Sequence, residues 1–392
     1  MKTKEIFYEH DFKKTWETKI LEIVTLKKRY AIILKETAFY PGGGGQPCDL
    51  GTINDQHLIE VYRMDDMIYH VVEEQPNVED EAVCFIDQSR RLDLMQQHTG
   101  QHLLSAVFFS QLNGQTSSFH LGLDYVTIDI SIPDIPSETI QQVEDIANKY
   151  IYDSLSIKHY LTDQALLGRL PLRKQPKVEE NIRLVEIEGL DYSPCGGTHL
   201  ENTGQLGILK IIKSENYKGN TRVYFKCGNR ALKDYQSMAI IISQLTTQLS
   251  INQEEIIERV EKELEKSKAL SKELHKWKGK AAYWEAKDII ADKDDKFIAN
   301  IFQDKDFEEI DDISKEITEL GDYITLLASI EDKKIILSHS GQSPLHCGRV
   351  FKEHLSQYDG RGGGNNNKAQ AAFSTIEDLE KFYNFLVGKI SY

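Results

Sequence analysis

Two short motifs in the sequence carry side chains that suit a metal ion. His98 and His102 are four residues apart in a segment of helical periodicity, so their rings would lie on one face of a helix. Cys195 and His199 flank a Gly-Gly-Thr sequence, and the glycines let the chain fold tightly enough for a thiolate and an imidazole to converge. Three imidazoles and one thiolate form a ligand set suited to Zn²⁺. Either pair alone would often be incidental, but together they predict a zinc site.

The residue after the first histidine separates this pattern from one class of zinc enzyme. Zincin peptidases have a glutamate base there, in His-Glu-x-x-His, whereas this sequence has Thr99. Peptide hydrolysis by that route is therefore disfavoured. Four protein ligands would also close a tetrahedral shell, although a catalytic zinc normally keeps one position open. The ion could activate water, polarise a carbonyl, anchor an amino group or order the pocket, and the residues leave these roles open.

The overall composition indicates a folded soluble protein with several domains. The chain has 392 residues, of which 40% are hydrophobic, and this length suggests two to four domains. No apolar run approaches the ~20 residues that cross a bilayer, and the N-terminus lacks the apolar region of a signal peptide. Five scattered cysteines do not resemble a disulfide framework. We therefore expect a cytoplasmic protein without a membrane partner.

The charge is strongly acidic overall but unevenly distributed. A net charge of −15 disfavours non-specific binding of nucleic acid. Residues 208–230, however, carry six basic side chains against Glu215 alone, a local balance of +5. Arg222 in this stretch is a candidate cation for binding a polyanionic substrate. The alternative is that the protein has solvated faces of opposite sign.

The hydrophobic patterns indicate which elements would position these residues. Residues 1–88 contain short β-branched runs broken by turn clusters, which predicts a small β-barrel. A helix with Ser89 as its N-cap would carry both metal-site histidines. Alternating residues predict a hairpin over 116–132 and further strands near 182–190, 205–213 and 221–228. We expect residues 89–230 to form one α+β zinc-binding domain.

The remaining residues change in character twice. Residues 231–291 are predicted to be long charged helices, with Ser250 and Gln253 as a capping box. A heptad seam suggests a helical hairpin or weak coiled coil that spaces domains or pairs subunits, and it runs through Ile257, Val260, Leu264, Leu274 and Ala281. Residues 292–392 resemble a small α/β domain that contains the loop DGRGGGNNNKAQ. The predicted fold class is therefore α+β multidomain: N-terminal β-barrel, zinc-binding domain, helical arm and C-terminal α/β domain.

Several motifs resemble one known family. FYPGGGGQP, HTGQHLL and CGGTH, in this order and spacing, resemble the AlaX family of alanyl-tRNA editing proteins, which are similar to the editing part of alanyl-tRNA synthetase. The sequence SENYKGNTRVYFKCGNRAL resembles the synthetase stretch that closes the editing domain. GRGGGNNNKAQAAF resembles the C-terminal domain that these synthetases share with DHH-type phosphoesterases. The resemblance covers essentially the whole chain and corresponds to the long form of AlaX.

The resemblance implies a function and a set of site residues. It implies a zinc-dependent hydrolase that removes serine, and secondarily glycine, from mischarged tRNA(Ala). Zn²⁺ would be bound by His98, His102, Cys195 and His199. The substrate would be bound near the first glycine loop and the C-terminal glycine loop: Gly42, Gly43, Gly44, Gly45, Gln46, Gly362, Gly363, Gly364 and Asn365. A homodimer through the helical arm or the C-terminal domain is a further expectation.

One departure from the family pattern affects the catalytic assignment. Synthetase editing domains often have threonine just before the second histidine, whereas this chain has Gln101. Thr99, Ser117 and Ser118 are the nearby hydroxyls that could act in its place. A non-catalytic tRNA-binding module with structural zinc and a threonyl-type editing hydrolase remain alternatives. A full synthetase is disfavoured, because about 88 residues before the editing part would be too few for an aminoacylation domain. A DHH phosphoesterase is disfavoured because no Asp-His-His occurs.

Overall fold

The computed structural model describes most of the chain as two compact units. The described residues are 2–9, 14–77, 80–162, 167, 170–173, 182–291 and 295–390. The first unit is Met1–Leu245 and the second is Thr246–Tyr392. Both units mix helices and strands, which confirms the predicted α+β class. Among the described residues, none of the helices combines the length and apolar character that crossing a bilayer requires.

The predicted N-terminal barrel is present. Its region contains the strands β1 (Lys4–Glu5), β2 (Thr15–Leu26), β3 (Arg29–Leu34), β4 (Glu36–Thr37), β5 (Gly51–Ile53), β6 (Gln56–Met64), β7 (Met67–Val72) and β8 (Glu81–Ile86). Six of them close in the order β2-β3-β7-β6-β5-β8, and β1 pairs in parallel with β4. Side chains such as Trp16, Ile32 and Phe39 fill the interior. The barrel thus removes exposed strand edges by closure.

A buried histidine in the barrel makes its stability depend on pH. His70 is 0% exposed, with Nε2 2.8 Å from Thr37 Oγ1 and Nδ1 2.9 Å from the Ile32 carbonyl oxygen. Burial lowers the pKa of this imidazole to about 4, outweighing the hydrogen bond to the Ile32 carbonyl. In the unfolded chain the pKa is about 6.5. The unfolded chain therefore binds the proton more tightly, and stability is lost as pH falls from about 6.5 to 4.

We expect this loss to disappear in a His70→Gln variant. Between pH 7 and pH 4, the free energy of unfolding of the wild type should fall by about 3 kcal/mol more than that of the variant. Urea unfolding at both pH values, followed by the fluorescence of the buried Trp16, measures the difference. Acid effects elsewhere in the molecule are common to both proteins. Equal losses in the two proteins would contradict the prediction.

The helix that carries His98 and His102 buries an unusual number of polar side chains. Helix α1 (Gln88–Leu112) is capped by Asp87, whose side chain accepts a hydrogen bond from the Arg90 backbone N–H. The predicted cap Ser89 was wrong, because the carboxylate two residues earlier satisfies that N–H. The buried residues of helix α1 include seven polar side chains within two and a half turns: Gln96, Gln97, His98, Thr99, Gln101, His102 and Ser105. Buried polar groups at this density need specific partners, which the neighbouring elements supply.

Two small sheets surround this helix. The strands β9 (Thr116–Leu121), β10 (Val126–Ile130), β14 (Leu209–Tyr217) and β15 (Asn220–Cys227) form a sheet of order β14-β15-β10-β9. A second sheet contains β11 (Ile157–Thr162), β12 (Ile182–Ile187) and β13 (Asp191–Pro194). Helix α2 (Ser137–Tyr152) packs with α1 around one apolar core. The predicted hairpin and strands are confirmed, except that the strand predicted from 205 begins at Leu209, after a 3₁₀ turn.

The predicted helical arm contains two long helices. Helix α3 (Gly228–Leu249) belongs to the first unit up to Leu245, and its last turn is assigned to the second unit. Helix α4 (Ile256–Ala291) belongs to the second unit. The capping box is formed by Asn252 and Glu255. Ser250 and Gln253 were wrong as a prediction, since Ser250 has a φ of 54° and lies outside both helices. The predicted seam is largely exposed, as in Ile257 at 70%, so dimer formation through it stays a prediction.

The C-terminal residues form an α/β layer structure. The strands are β16 (Phe297–Phe302), β17 (Ile324–Ser329), β18 (Lys334–His339), β19 (Gly360–Gly364) and β20 (Lys368–Phe373), in the order β16-β17-β18-β20-β19. The helices are α5 (Phe307–Leu320), α6 (Cys347–His354) and α7 (Ile376–Ile390). The predicted glycine-rich loop is wrong in part, because Gly360–Gly364 is an edge strand. A Cβ at Gly362 would lie 2.1 Å from the Gln370 carbonyl oxygen, so glycine lets this strand approach β20 closely.

Candidate functional site

The two predicted motifs meet at one point in the first unit. Helix α1 presents His98 and His102, and the loop after β13 brings Cys195 and His199 to them. The ligand atoms of all four residues lie within 4.8 Å of one another. Cys195 Sγ is 3.5 Å from His98 Nε2 and 3.3 Å from His199 Nε2. These distances allow one ion to be shared by the four side chains.

The electrostatics of this cluster favour a bound cation. Burial by itself would raise the pKa of the Cys195 thiol, yet the imidazoles of His98, His199 and His102 lower it well below its ordinary value. Burial lowers the pKa of His199 to about 3, which keeps that ring neutral. Thiolate and neutral imidazole are the forms that bind metals. Burial also opposes charge on His102, but Cys195 and Asp191 raise its pKa to about 9, so the cluster attracts positive charge.

His98 and His199 each have a hydrogen-bond partner at the other ring nitrogen, whereas that of His102 lies near Asp191 without a hydrogen bond. Gln46 Oε1 is 2.8 Å from His98 Nδ1, and Thr99 Oγ1 is 3.2 Å from His199 Nδ1. Asp191 Oδ2 is 3.7 Å from His102 Nδ1. Outer partners of this kind fix the tautomer and aim the Nε2 atoms at one point. The geometry therefore fits a metal ion, and it places Thr99 behind His199, outside the pocket.

We expect the outer partner of His98 to control metal affinity. A Gln46→Leu variant keeps the size of the side chain but removes the acceptor at His98 Nδ1. Loss of such a partner typically weakens metal binding about 10- to 100-fold. Competition with a chelator of known affinity measures the change for Zn²⁺. Gln111→Leu, at an exposed position near the end of α1, is the matched control. A Zn²⁺ affinity of Gln46→Leu as strong as that of this control would contradict the prediction.

A pocket opens beside the cluster, and five of the fourteen other predicted site residues line it. Its volume is about 370 Å³. The lining consists of Gly44, Gly45, His98, Gln101, His102, Thr116, Ser117, Ser118, Phe119, Arg173, Ser193, Pro194 and Cys195. Ser117 donates its hydroxyl to the Asp129 carbonyl oxygen at 3.1 Å, whereas Ser118 is exposed. Three residues of the cluster, His98, His102 and Cys195, thus form one wall of this cavity.

The first glycine loop contributes two of its four glycines to the pocket lining, whereas Gly42 and Gly43 lie outside it. Gly42, Gly43, Gly44 and Gly45 all have positive φ, between 58° and 138°, which other residues rarely adopt. A Cβ at Gly45 would lie 2.9 Å from the ring of Phe119, which in turn stacks on His98 with a centroid distance of 5.5 Å. Gly44 and Gly45 face the pocket. Gln46 is buried instead, and its amide donates to Thr198 Oγ1 at 2.7 Å.

A hydrogen-bond chain that the sequence did not reveal fixes Gln101. Its amide nitrogen donates to Ser105 Oγ at 2.8 Å, and the Thr116 hydroxyl donates to the same oxygen at 2.7 Å. Ser105 is fully buried. The spacing of four residues between Gln101 and Ser105 on a helix was the available signal. The pairing with Thr116 depends on how β9 packs against α1, which one sequence does not specify.

The basic stretch is neutralised in the folded chain. Lys210 pairs with Glu144 and Lys226 with Asp234, in both cases at 2.6–2.7 Å. The guanidinium of Arg222 lies 2.6 Å from Asp129, directly across the β10–β15 register. This position is outside the residues that line the pocket. The folded surface therefore gives Arg222 an acidic partner of its own, which the sequence balance of +5 did not anticipate.

The chain that forms this barrel, helix and metal-type cluster is similar to proteins of aminoacyl-tRNA synthesis and editing. Residues 182–224 match the family described as the threonyl and alanyl tRNA synthetase second additional domain. The chain is 29% identical to the alanyl-tRNA editing protein AlaX-L of Pyrococcus horikoshii, over 93% of each chain. It is 34% identical to Aarsd1-A, an alanyl-tRNA editing protein of Xenopus laevis, over 62% of this chain and 60% of that one.

One relative is a longer enzyme, and this chain is similar to less than half of it. The alanine–tRNA ligase of Methanococcus aeolicus is 28% identical over 99% of this chain, which spans only 43% of the ligase. The chain is therefore similar over nearly its whole length to an alanyl-tRNA editing protein of the AlaX type, the resemblance that its motifs indicate.

Proposed function

We propose that this protein is an aminoacyl-tRNA hydrolase that removes serine, and secondarily glycine, from mischarged tRNA(Ala). The observation that carries the proposal is the pocket beside His98, His102 and Cys195, in a chain similar over 93% of its length to an alanyl-tRNA editing protein. In the reaction, a water oxygen bonds to the ester carbonyl carbon, and the bond to the ribose oxygen breaks. The water's protons end on the products, free serine and the ribose hydroxyl.

The four clustered side chains are the proposed zinc ligands. When bound there, Zn²⁺ would supply positive charge for the ester carbonyl, the attacking water or the amino group of the substrate. The remaining groups bind and orient the substrate. Gly44 and Gly45 leave space for the 3′ end of the tRNA, and backbone N–H groups can approach it without side chains between. Ser117 and Ser118 line the same cavity and offer hydroxyls to the aminoacyl group.

Selection of serine must rest on polar recognition. Alanine is smaller than serine, so a pocket that admits serine cannot exclude alanine by size. Gln101 is 6% exposed and its amide nitrogen is held by Ser105. Because Gln101 lines the pocket, we propose that its side-chain carbonyl oxygen accepts a hydrogen bond from the hydroxyl of serine. With an alanyl group, the acceptor would stay unpaired, and discrimination of this kind can reach roughly 10⁴-fold.

The C-terminal unit is proposed to contact the tRNA. Gly362, Gly363 and Gly364 lie on the edge strand β19, where backbone groups are not covered by side chains. Asn365 begins the turn to β20, and its Oδ1 accepts hydrogen bonds from the backbone N–H groups of Asn367 and Lys368. A side-chain-free edge lets a phosphate or ribose approach the backbone closely. Pairing of two subunits is a further proposal, for which the exposed seam on α4 is the support.

Release of serine from pre-charged tRNA tests the proposal. We expect the wild type to deacylate Ser-tRNA(Ala) fastest and Gly-tRNA(Ala), which also lacks the hydroxyl, far more slowly. Ala-tRNA(Ala) and Thr-tRNA(Thr) should be deacylated hardly at all. A Gln101→Met variant should lose about 10- to 100-fold in kcat/KM with the seryl substrate, because one buried hydrogen bond is worth about 1–3 kcal/mol. Its rate with the glycyl substrate, which has no hydroxyl, should change little.

Three outcomes would count against parts of this proposal. Release of no amino acid, despite bound zinc and tRNA, would indicate a tRNA-binding module. Preferential release of serine from Ser-tRNA(Thr) rather than from Ser-tRNA(Ala) would indicate a threonyl-type editing enzyme. Equal loss with seryl and glycyl substrates in Gln101→Met would remove the serine-recognition role of Gln101.

A further inference from the structure

The backbone of the loop that carries Cys195 is held by two side chains from distant parts of the chain. Arg183 Nη1 donates to the carbonyl oxygen of Cys195 at 2.8 Å and to that of Gly197 at 2.9 Å. The hydroxyl of Tyr8 donates to the carbonyl oxygen between them, that of Gly196, at 2.7 Å. Three successive carbonyls of the loop are therefore all bonded to side chains of other elements.

The two side chains also contact each other. The guanidinium carbon of Arg183 lies 4.2 Å from the centroid of the Tyr8 ring, within the range of a cation–π contact. Burial lowers the pKa of Arg183, against the opposing effect of the Tyr8 and Cys195 groups. Its Nε is buried without a hydrogen-bond partner among the described residues. A half-buried guanidinium with a bare Nε loses hydration, and the two loop carbonyls and the tyrosine ring are what compensate for it.

The position of Tyr8 is itself fixed by neighbouring groups. His159 Nε2 lies 2.8 Å from the carbonyl oxygen of Tyr8. Phe7 packs edge-on against both Tyr8 and Tyr40, with centroid distances of 4.6 and 5.5 Å. The residues after β1 therefore extend from the barrel to the ligand loop, 188 positions away in sequence. The N-terminal segment thus contributes directly to the surroundings of the metal-type cluster.

The loop has little room to move without disturbing the ligands. A Cβ at Gly197 would lie 2.2 Å from His98 Cε1, so the backbone passes directly over that ring. The Gly197 N–H points at Cys195 Sγ, 3.4 Å away. Two glycines give this loop high intrinsic freedom, and the bonds from Arg183 and Tyr8 remove it. A rotation of the peptide units that broke these bonds would also displace the sulfur.

We propose that Arg183 and Tyr8 are positioning residues for the metal centre. They clamp the carbonyls of residues 195–197, so that Cys195 Sγ and His199 Nε2 remain aimed at one ion. The clamp sets how slowly the ion is released, independently of which aminoacyl group the pocket accepts. Neither residue touches the substrate pocket, so both act through the ligand loop.

Metal release from the full-length protein tests the clamp. Arg183→Met, Arg183→Lys and Tyr8→Phe would be compared with the wild type, with Zn²⁺ release followed by an excess of a chromophoric chelator. We expect release about 10- to 100-fold faster in Arg183→Met, since removal of groups that orient metal ligands has effects of this size. Tyr8→Phe, which loses one hydrogen bond but keeps the ring, should release about 3- to 10-fold faster. Arg183→Lys should release the ion faster than the wild type but more slowly than Arg183→Met, because an ammonium keeps the charge but cannot span both carbonyls.

A spectroscopic readout separates positioning from general loss of stability. The Co²⁺-substituted protein should show a thiolate-to-metal absorption band that broadens or weakens in Arg183→Met. Arg63→Met is the matched control. Arg63 forms an ion pair at 2.7 Å with Glu5, which lies on the same N-terminal segment as Tyr8, and the ion pair does not involve the Cys195 loop. Wild-type release rates and an unchanged cobalt spectrum in Arg183→Met would overturn the proposal. If that variant fails to fold, Tyr8→Phe decides the question by the same two measurements. The clamp rests on the zinc ligands of the proposed function, but neither readout needs deacylation, so its failure is distinguishable from a failure of the proposed hydrolase activity.

Discussion

A Cys195→Ser variant is expected to lose its stoichiometric zinc. It should also release serine from Ser-tRNA(Ala) at least about 1,000-fold more slowly than the wild type, which corresponds to an activation barrier higher by about 4 kcal/mol. Cys195 Sγ lies at the centre of the cluster, 3.3–3.5 Å from two imidazoles. Its pKa, raised by burial but lowered further by the three imidazoles, favours the thiolate. A serine hydroxyl at this position stays protonated and neutral, so the cluster loses both a ligand and its negative charge.

The measurement combines metal analysis with single-turnover deacylation. Cys48→Ser is the matched control, because Cys48 is a half-buried thiol outside the cluster, and it should keep both zinc and activity. A His102→Ala variant should follow Cys195→Ser in both readouts. Wild-type deacylation in a Cys195→Ser protein that contains no zinc would rule out a role of the ion in the chemistry. Loss of folding in both variants would instead indicate a structural ion.

The four-residue His/Cys cluster could be predicted from sequence because it consists of two pairs, each close together in the chain. His98 and His102 are one helical turn apart, and Cys195 and His199 are separated by a short glycine turn, so each pair is preorganised by its own backbone. The meeting of the two pairs was the only long-range assumption. The barrel was predictable for a related reason, since alternating apolar residues and frequent turns are properties of neighbouring residues.

The groups that surround the ligands could not be read in the same way. Gln46 reaches His98 across 52 positions, and Tyr8 reaches Gly196 across 188. Such contacts depend on how the barrel docks on α1, and an isolated glutamine or tyrosine carries no sign of it. Arg222 is another case, and its predicted role in substrate binding stays a prediction. Its charge suggested a polyanion, but the register of β10 and β15 places Asp129 opposite it. Only strand pairing could have revealed that partner.

The contact between barrel and helix depends on a buried ion pair, and breaking it should destabilise the first unit more than any surface change. Arg91 and Asp49 have side chains that are each 1% exposed. Arg91 Nε lies 2.9 Å from both carboxylate oxygens, and its Nη2 donates to Asp49 and to the Ala38 carbonyl. Asp49 Oδ2 also accepts from the Tyr40 N–H at 2.7 Å, just before the glycine loop. The pair therefore connects α1, two turns before His98, to the base of the pocket wall.

An Arg91→Met variant would leave the Asp49 carboxylate buried without its cation, at a cost of about 3–5 kcal/mol in the free energy of unfolding. Arg90→Met, one residue away, removes a partly exposed guanidinium that binds only the Cys48 carbonyl, and should cost about 1–2 kcal/mol. Urea unfolding followed by Trp16 fluorescence compares the two. Since the penalty comes from the unpaired carboxylate, the double variant Arg91→Met with Asp49→Asn should recover part of the loss. Additive losses in the double variant would show that packing, and not the buried charge, is what Arg91 contributes. Recovery of stability without recovery of zinc affinity would show that the charge pair also sets the register of the glycine loop, and with it Gln46, against His98.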